Sequence, residues 1–202
     1  LHIQFQMLRE KLQHKRIILA SGSPRRQQFL RELDIDFTIQ LKEVEEIYPN
    51  HLQASEITIF LAELKANAFD LLEENEILIT SDTIVWHENK ALGKPKDAQD
   101  AFEMLQSLSG KTHEVITSVC FKTKNSLETI TETTKVTFNS LSDEAIQYYI
   151  STYKPFDKAG SYGIQEWIGL VGIAKIEGSY TNVVGLPVEK VYQKLIHYAE
   201  NY

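Results

Sequence analysis

A short loop near the start of the chain carries the side chains best suited to holding an anion. Residues 19–26 read LASGSPRR, small residues followed by two arginines. A strand that ends here and opens a helix would present free backbone N–H groups and the positive end of the helix dipole. Ser21 and Ser23 add hydroxyls, while Arg25 and Arg26 add planar guanidinium groups that match phosphate oxygens. On the loop alone, an ordinary capped helix with solvated arginines is the more common outcome.

Two segments farther along could supply the rest of a phosphate site. Asp82 lies in the apolar run ITSDTIV, where we expect it at the end of a strand, and Thr83 beside it could contact a ligand. There Asp82 could hold a divalent cation or take a proton from water, although a turn-forming aspartate between two strands explains it about as well. Lys94 precedes a proline, which favours extended backbone, and its ammonium could reach phosphate. A solvated turn lysine is the more usual outcome.

Adjacent carboxylates at Glu45 and Glu46 precede a predicted helix that carries Lys65. Such pairs are usually solvated, but one of them could be an oxygen ligand for Mg²⁺, which prefers carboxylates together with substrate phosphates. Lys65 could equally be the polar edge of its helix. The six histidines show no metal-ligand spacing, so a zinc site is disfavoured. The single Cys120 lies in an apolar stretch, which favours a buried thiol over a nucleophile.

Two glycine-rich segments, DKAGSYGIQ at 157–165 and GSYTNVVGLP at 178–187, could bring backbone close to a ligand. The Gln165 amide offers one donor and one acceptor, which matches the edge of an unmodified pyrimidine base. The alternative is a tightly turned loop that needs glycine for its backbone conformation.

The elements that must position these residues alternate between strands and helices. The patterns predict strands at 16–20 and 35–41, an apolar run at 77–85 that Ser81 and Asp82 interrupt, and two long antiparallel strands between 112 and 138 that turn near Asn125. Helices are predicted at 25–33, 54–74, 98–108 and 142–153, with a last one from Pro187. Most of the glycines fall between 160 and 185, which predicts loops and short strands there. This order indicates an α/β fold with a mixed sheet.

Charge and hydropathy narrow the class of partner. A net charge of −7 argues against sequence-independent binding to a nucleic acid polymer. Residues 1–26 are nonetheless strongly basic, and a local positive field suits a small anionic ligand. The longest apolar run, 168–174, is too short to span a bilayer, and no signal-peptide core is visible at the N-terminus. We therefore expect no membrane partner and a cytoplasmic location.

Together and in order, five segments resemble the Maf family of nucleoside triphosphate pyrophosphatases. They are LASGSPRR (19–26), SDTIV (81–85), LGKPKDAQDAFEMLQSLSGKTHEVIT (92–117), DKAGSYGIQ (157–165) and IEGSYTNVVGLP (176–187). The resemblance implies an elongated α/β fold related to the inosine-triphosphate pyrophosphatases, with two lobes around a deep cleft. It implies one domain over 16–202, after an N-terminal extension and leading helix at 1–15. Residues 1–6 precede Met7 and stay outside the functional argument.

The resemblance also implies roles for individual residues. Asp82 matches the family's catalytic acidic residue, which is usually assigned as the proton acceptor. Positions that contact phosphate or a divalent cation, Mg²⁺ or Mn²⁺, are matched by Ser21, Arg26, Glu46, Lys65 and Lys94. We assign Glu46 and Asp82 to the cation and the other four to phosphate.

Three positions separate the two branches of the family. Arg25, Thr83 and Gln165 match the branch that acts on pyrimidine triphosphates, whereas the branch acting on 7-methylguanosine triphosphate has Trp, Gln and Glu there. A carboxylate would favour the positively charged 7-methylguanine, while neutral Gln165 suits uracil or thymine. The implied reaction cleaves dTTP and UTP to the monophosphate and pyrophosphate, with modified pyrimidine nucleotides as further candidate substrates.

Two alternatives stay open. A nucleotide-binding regulator of cell division or septum formation, without catalysis, would need the same binding loop but not Asp82 as a reacting group. A homodimer is a further candidate, since the long strands between 112 and 138 could present an edge to a second copy. Burial of those strands inside one lobe explains their pattern equally well.

Overall fold

A seven-stranded mixed sheet forms the centre of the protein, whose computed structural model describes residues 8–201. Its order is β2-β1-β3-β5-β6-β7, and β4 pairs with β3 away from this path. The strands are β1 (Arg16–Leu19), β2 (Phe37–Ile39), β3 (Glu76–His87), β4 (Lys90–Leu92), β5 (Thr112–Lys122), β6 (Leu127–Phe138) and β7 (Ile173–Glu177).

Helices cover both faces of this sheet. They are α1 (Leu8–Lys11), α2 (Pro24–Glu32), α3 (Ser55–Asn67), α4 (Ala98–Leu108), α5 (Asp143–Tyr153), α6 (Trp167–Gly172), α7 (Tyr180–Val184) and α8 (Val188–Asn201), with a 3₁₀ turn at Ala159–Ser161. Helix α1 lies within the N-terminal segment 1–15, of which residues 1–7 lie outside the described part of the chain.

The sheet changes character at β3. Strand β1 runs parallel to both β2 and β3, while β3, β5, β6 and β7 pair antiparallel. Successive side chains of a strand point to opposite faces. On β3, Ile77, Ile79, Thr83 and Val85 therefore share one face, and Asp82 lies on the other face, under α3.

Two of the hydrophobic clusters within residues 8–201, here called the first and the second core, lie towards opposite ends of the long strands. The first core lies under α2 and α8 and includes Leu19, Ile79, Phe121, Leu195 and Tyr198. The second core lies under α4 and α5 and includes Val85, Leu105, Val115, Val136, Phe138 and Tyr149. Strands β3 and β5 contribute to both, so the two lobes share one sheet. These lobes and the mixed sheet agree with the predicted fold.

Most predicted elements are present, but the helix predicted at 54–74 ends earlier, at Asn67. Two lysine side chains donate hydrogen bonds to backbone carbonyl groups at this end of the helix. Lys122 Nζ donates to Ala66 O and Phe69 O, and Lys42 Nζ donates to Ala68 O. The chain then turns so that Phe69 packs into a separate hydrophobic cluster under α3, together with Ile18 and Leu78. Periodicity alone could not reveal this stop, because the capping groups come from distant parts of the chain.

The segment 160–185 was predicted as loops and short strands, and this prediction is wrong in part, because it contains the short helices α6 and α7. Ser179 Oγ accepts a hydrogen bond from Asn182 N and caps α7. In α6, Gly169 packs against the backbone of Ile164 too closely for any side chain. Glycine here serves close packing of a helix rather than an open loop.

Strand β5 has β3 on one side and β6 on the other, so it presents no edge to a second copy. Its pattern is explained by burial, and the homodimer stays a prediction. Within residues 8–201, no helix has the length and apolarity needed to cross a bilayer.

Candidate active site

Asp82 lies in the middle of β3, not at the end of a strand or in a turn as the sequence suggested. Its neighbour across the sheet is Ser118 on β5. On the other side, β1 ends at Leu19, which pairs with Ile79. Asp82 therefore lies just beyond the carboxyl end of the parallel part of the sheet, where open α/β sheets bind ligands.

A cleft of about 1090 Å³ opens at this point between the two lobes. Its lining includes every residue that the sequence assigned to the site: Ser21, Arg25, Arg26, Glu46, Lys65, Asp82, Thr83, Lys94 and Gln165. Of the adjacent carboxylates left open by the sequence, Glu46 lines the cleft and Glu45 does not. The folded chain thus brings together residues spread over nearly 150 positions of sequence.

The centre of the cleft is an ion-paired group of three side chains. Lys65 on α3 donates from Nζ to Asp82 Oδ1 at 2.7 Å, and the same ammonium lies 3.1 Å from Glu46 Oε1. Asp82 is buried, whereas the Glu46 side chain is about half exposed. Burial raises the pKa of the Asp82 carboxyl above its usual range, against the opposing effect of the Lys65 ammonium. Within residues 8–201, no hydrogen bond reaches Asp82 Oδ2, so one carboxylate oxygen remains for another partner.

Arg26 directs its guanidinium group into the protein. Nε donates to Gly185 O at 2.8 Å, and Nη2 donates to Thr83 Oγ1 at 2.9 Å. Nη1 makes the two longer bonds, to Ser81 O at 3.2 Å and Ser21 Oγ at 3.5 Å. The arginine therefore joins the start of α2 to β3 and to the segment before α8.

Thr83 lies on the sheet face opposite Asp82, within a polar chain of hydroxyls. Its Oγ1 accepts from Arg26 and lies 2.9 Å from Thr117 Oγ1 on β5. Thr117 Oγ1 in turn donates to Asn182 O on α7 at 3.4 Å. The sequence identified Thr83 but missed Thr117 and Asn182, since neither stands out by type.

The other predicted residues differ in how firmly the protein holds them. Arg25 Nη1 donates to Asp157 Oδ2 at 3.0 Å. Lys94 and Gln165 are exposed in the cleft, and within residues 8–201 neither side chain makes a hydrogen bond or ion pair. Both are therefore available to a ligand.

Sequence reasoning also missed Tyr149, Lys158 and Glu166, which support the loop that carries Gln165. The Tyr149 hydroxyl accepts a hydrogen bond from Gly163 N at 2.9 Å and donates to Glu166 Oε2. A signal was present, because Tyr149 lies with Ile146 and Ile150 on the buried side of α5. A phenol buried among apolar residues needs a hydrogen-bond partner.

The donor set of the cleft fits a divalent cation shared with a ligand. Two carboxylates, Glu46 and Asp82, already converge on one cation, the Lys65 ammonium. Mg²⁺ commonly takes one or two protein carboxylates and completes its shell with phosphate oxygens and water. Within residues 8–201, no three His, Cys, Asp or Glu side chains come together as a metal cage.

Cys120 is fully buried, and burial raises the pKa of its thiol to about 11. This confirms the expected structural thiol rather than a nucleophile.

Comparison with solved structures bears on the fold. The Staphylococcus aureus Ham1 protein matches with a TM-score of 0.50 at 14% identity, covering 91% of this chain and 100% of that one. At this identity the likeness concerns the fold alone, and it confirms the predicted α/β architecture.

Comparison with known sequences bears on the family. A Flavobacterium johnsoniae protein named dTTP/UTP pyrophosphatase is 68% identical over 190 residues, which cover 94% of this chain and 98% of that protein. A protein of the same name from Bacteroides fragilis is 51% identical over 186 residues, covering 91% of this chain and 96% of the relative. A family profile described as Maf-like protein matches residues 16–198. With the profile spanning almost the whole described chain and these relatives matching almost end to end, the chain belongs to the Maf family.

Proposed function

We propose that this chain hydrolyses dTTP and UTP between the α- and β-phosphates, giving the nucleoside monophosphate and pyrophosphate. The observation that carries the proposal is the buried Asp82, ion-paired with Lys65 and next to Glu46, in a cleft that several cations line. The printed name of the relatives, dTTP/UTP pyrophosphatase, supports the same reaction.

In the proposed reaction, the triphosphate lies across the cleft. Ser21 and Lys94 bind phosphate oxygens, and Arg26 exchanges its long bond to Ser21 for a phosphate oxygen at Nη1. Lys65 adds positive charge where negative charge develops, and such preorganised charge accounts for much of phosphoryl-transfer catalysis.

Asp82 is the proposed general base. Its Oδ2 accepts the proton of a water molecule that attacks the α-phosphorus in line with the leaving pyrophosphate. The hydrogen bond from Lys65 to Oδ1 keeps the carboxylate oriented. Because burial raises the pKa of Asp82, its carboxylate is a stronger base than an exposed one would be.

A divalent cation fits this arrangement. When bound, Mg²⁺ or Mn²⁺ would be held by Glu46 and Asp82 and would neutralise charge on the leaving pyrophosphate. The proposed substrates are cytoplasmic metabolites, and we propose the same location for the chain.

Selectivity for pyrimidines is assigned to Arg25, Thr83 and Gln165. The free amide of Gln165 can donate to one position of a uracil or thymine edge and accept from the next. Thr83 contacts Arg26 and Thr117, so its proposed effect on selectivity passes through the position of Arg26.

The test is a panel of canonical and methylated nucleoside triphosphates, with Mg²⁺ and with Mn²⁺, assayed for pyrophosphate release. We expect the highest kcat/KM with dTTP and UTP. Binding of these nucleotides without release of pyrophosphate would instead favour the regulator alternative, which the names of the relatives do not support.

Asp82→Asn is expected to lower kcat by at least about a hundredfold, because the amide cannot act as a base. Binding of UTP, measured by calorimetry, and the unfolding midpoint are expected to change little. The matched control is Asp70→Asn, a substitution at an exposed position outside the cleft. Full activity of Asp82→Asn would contradict the assignment.

A further inference from the structure

We propose that Glu166, held by Tyr149 and Lys158, is a positioning residue that fixes Gln165 and connects it to Arg25. The inference deepens the proposed function and rests on it, since Gln165 and Arg25 are the residues assigned there to selectivity. It adds Tyr149, Lys158 and Glu166, which no sequence motif indicated as functional.

The first link anchors the Gln165 loop to α5. The Tyr149 hydroxyl accepts a hydrogen bond from Gly163 N at 2.9 Å and donates one to Glu166 Oε2. One buried phenol therefore binds the chain both before and after Gln165. Glu166 N also donates to Gly163 O at 3.0 Å, which closes the loop upon itself. Tyr149 is fully buried, and burial with the adjacent Glu166 raises the pKa of its hydroxyl well above the usual range. The hydroxyl therefore stays a donor at neutral pH.

The second link carries the connection to Arg25. Lys158 Nζ lies 3.1 Å from Glu166 Oε1 and donates to Asp157 Oδ1 at 2.7 Å. The other oxygen of Asp157 accepts from Arg25 Nη1. The Lys158 and Glu166 side chains are only 9% and 19% exposed, so solvent screens the contact between them weakly, whereas Asp157 is largely exposed. A continuous run of charged contacts thus joins the residue next to Gln165 to the start of α2.

Gly163 allows the loop to fold this tightly. A Cβ at this position would meet Glu166 Cδ at 2.9 Å and Gln165 Nε2 at 3.0 Å. Both side chains therefore lie over the glycine backbone.

The network fixes the backbone on both sides of Gln165 but leaves its amide free. Within residues 8–201 the Gln165 side chain has no hydrogen-bond partner, whereas Glu166 has two. A side chain that recognises a base by hydrogen bonds must be held close to its binding geometry by the residues around it. Loss of the network should therefore weaken recognition of the base and leave the chemistry at Asp82 intact.

Tyr149→Phe tests this directly, because it removes one hydroxyl and both of its hydrogen bonds. We expect KM for UTP to rise about tenfold with kcat nearly unchanged, the pattern expected when binding is lost equally from ground and transition states. The kcat/KM for 7-methyl-GTP, which lacks the uracil edge assigned to Gln165, is expected to stay within about twofold.

Tyr153→Phe is the matched control on the same helix. The Tyr153 ring stacks on Tyr149 with centroids 5.2 Å apart, but its hydroxyl makes no hydrogen bond within residues 8–201. We expect wild-type constants from this variant. An equal rise of the UTP KM in both variants would overturn the proposal.

A double variant distinguishes a positioning effect of Tyr149 on Gln165 from general destabilisation of the protein. In Gln165→Ala protein, Tyr149→Phe is expected to have no further effect on UTP, because the residue that it positions is gone. Effects that multiply in the double variant would also overturn the proposal.

Calorimetric titration of UTP into Asp82→Asn protein, with and without Tyr149→Phe, distinguishes this proposal from the proposed function. Weaker binding with Tyr149→Phe supports the positioning network even if the wild-type protein releases no pyrophosphate. Equal binding, or none, overturns the network, while pyrophosphate release by the wild-type protein decides the activity separately.

Discussion

Arg26 lines the candidate ligand site, yet most of its guanidinium N–H groups donate hydrogen bonds to the protein itself. Three of its nitrogens bond to four acceptors on three separate segments of the chain. Arg25, one position earlier, makes a single ion pair with the largely exposed Asp157. Arg25 and Arg26 look alike in the sequence, but we expect Arg26 to contribute more to the stability of the fold.

Arg26→Lys is expected to lower the free energy of unfolding by about 1–3 kcal/mol, because one ammonium cannot replace a planar group that reaches Gly185, Ser81 and Thr83 together. Arg25→Lys serves as the control and should cost less than about 1 kcal/mol, as expected for a partly exposed pair. Denaturant unfolding followed by circular dichroism measures both. Equal losses in the two variants would show that the Arg26 contacts contribute little.

At this scale the sequence predicted which residues line the cleft but not which of them the protein holds. The partners of Arg26 lie 57 and 159 positions away at Thr83 and Gly185, so no local pattern records them. Gln165 and Lys94 were predicted from motifs whose neighbours are close in sequence. The supporting Tyr149 and Lys158 become visible only when α5 and the following loop are packed together.

At the scale of elements, β3 is the strand that local patterns described least well. Ser81 and Asp82 interrupt an apolar run and so predict a break, yet the strand continues from Glu76 to His87. Pairing with β5 from Leu78 to Trp86 supplies backbone hydrogen bonds that keep the strand extended past Ser81 and Asp82. The paired strands β5 and β6 were predictable because their alternation and turn are local features.

Helix α6 holds the Gln165 loop through a contact that only glycine permits. A methyl group at Gly169 would overlap the carbonyl of Ile164, so Gly169→Ala must displace the loop or the helix. We expect a loss of about 1–3 kcal/mol in unfolding free energy and a higher KM for UTP.

Gly93→Ala is the control for that substitution. A Cβ at Gly93 would meet no heavy atom of the described residues within 4 Å, and its backbone is not in the left-handed region. Its unfolding midpoint should match the wild type. Wild-type stability in Gly169→Ala would mean that the contact with Ile164 is easily relieved.

At the scale of the whole molecule, the two cores share strands β3 and β5 and should therefore unfold together. Ile79 and Phe121 belong to the first core, while Val85 and Val115, on the same two strands, belong to the second. A lobe cannot lose its strands without breaking the sheet of the other.

Leu195→Ala tests this coupling from a distance. Leu195 is fully buried in the first core, whereas Trp167 packs against the second core and Trp86 against residues under α3. We expect tryptophan fluorescence and circular dichroism to report one coincident transition, with about 2–5 kcal/mol lost on truncation. A fluorescence transition unmoved by Leu195→Ala would show that the lobes unfold separately.

The gap beside β3 leaves part of a strand edge without a neighbouring strand. Between Ile79, the last residue paired with β1, and Val85, the first paired with β4, no strand within residues 8–201 lies along this edge. Unpaired strand edges normally invite another chain to add a strand and aggregate. Here the unpaired stretch lies inside the cleft, and Arg26 already occupies the Ser81 carbonyl. Because this stretch of β3 lines the cleft, the recess that admits substrate also encloses this part of the sheet edge.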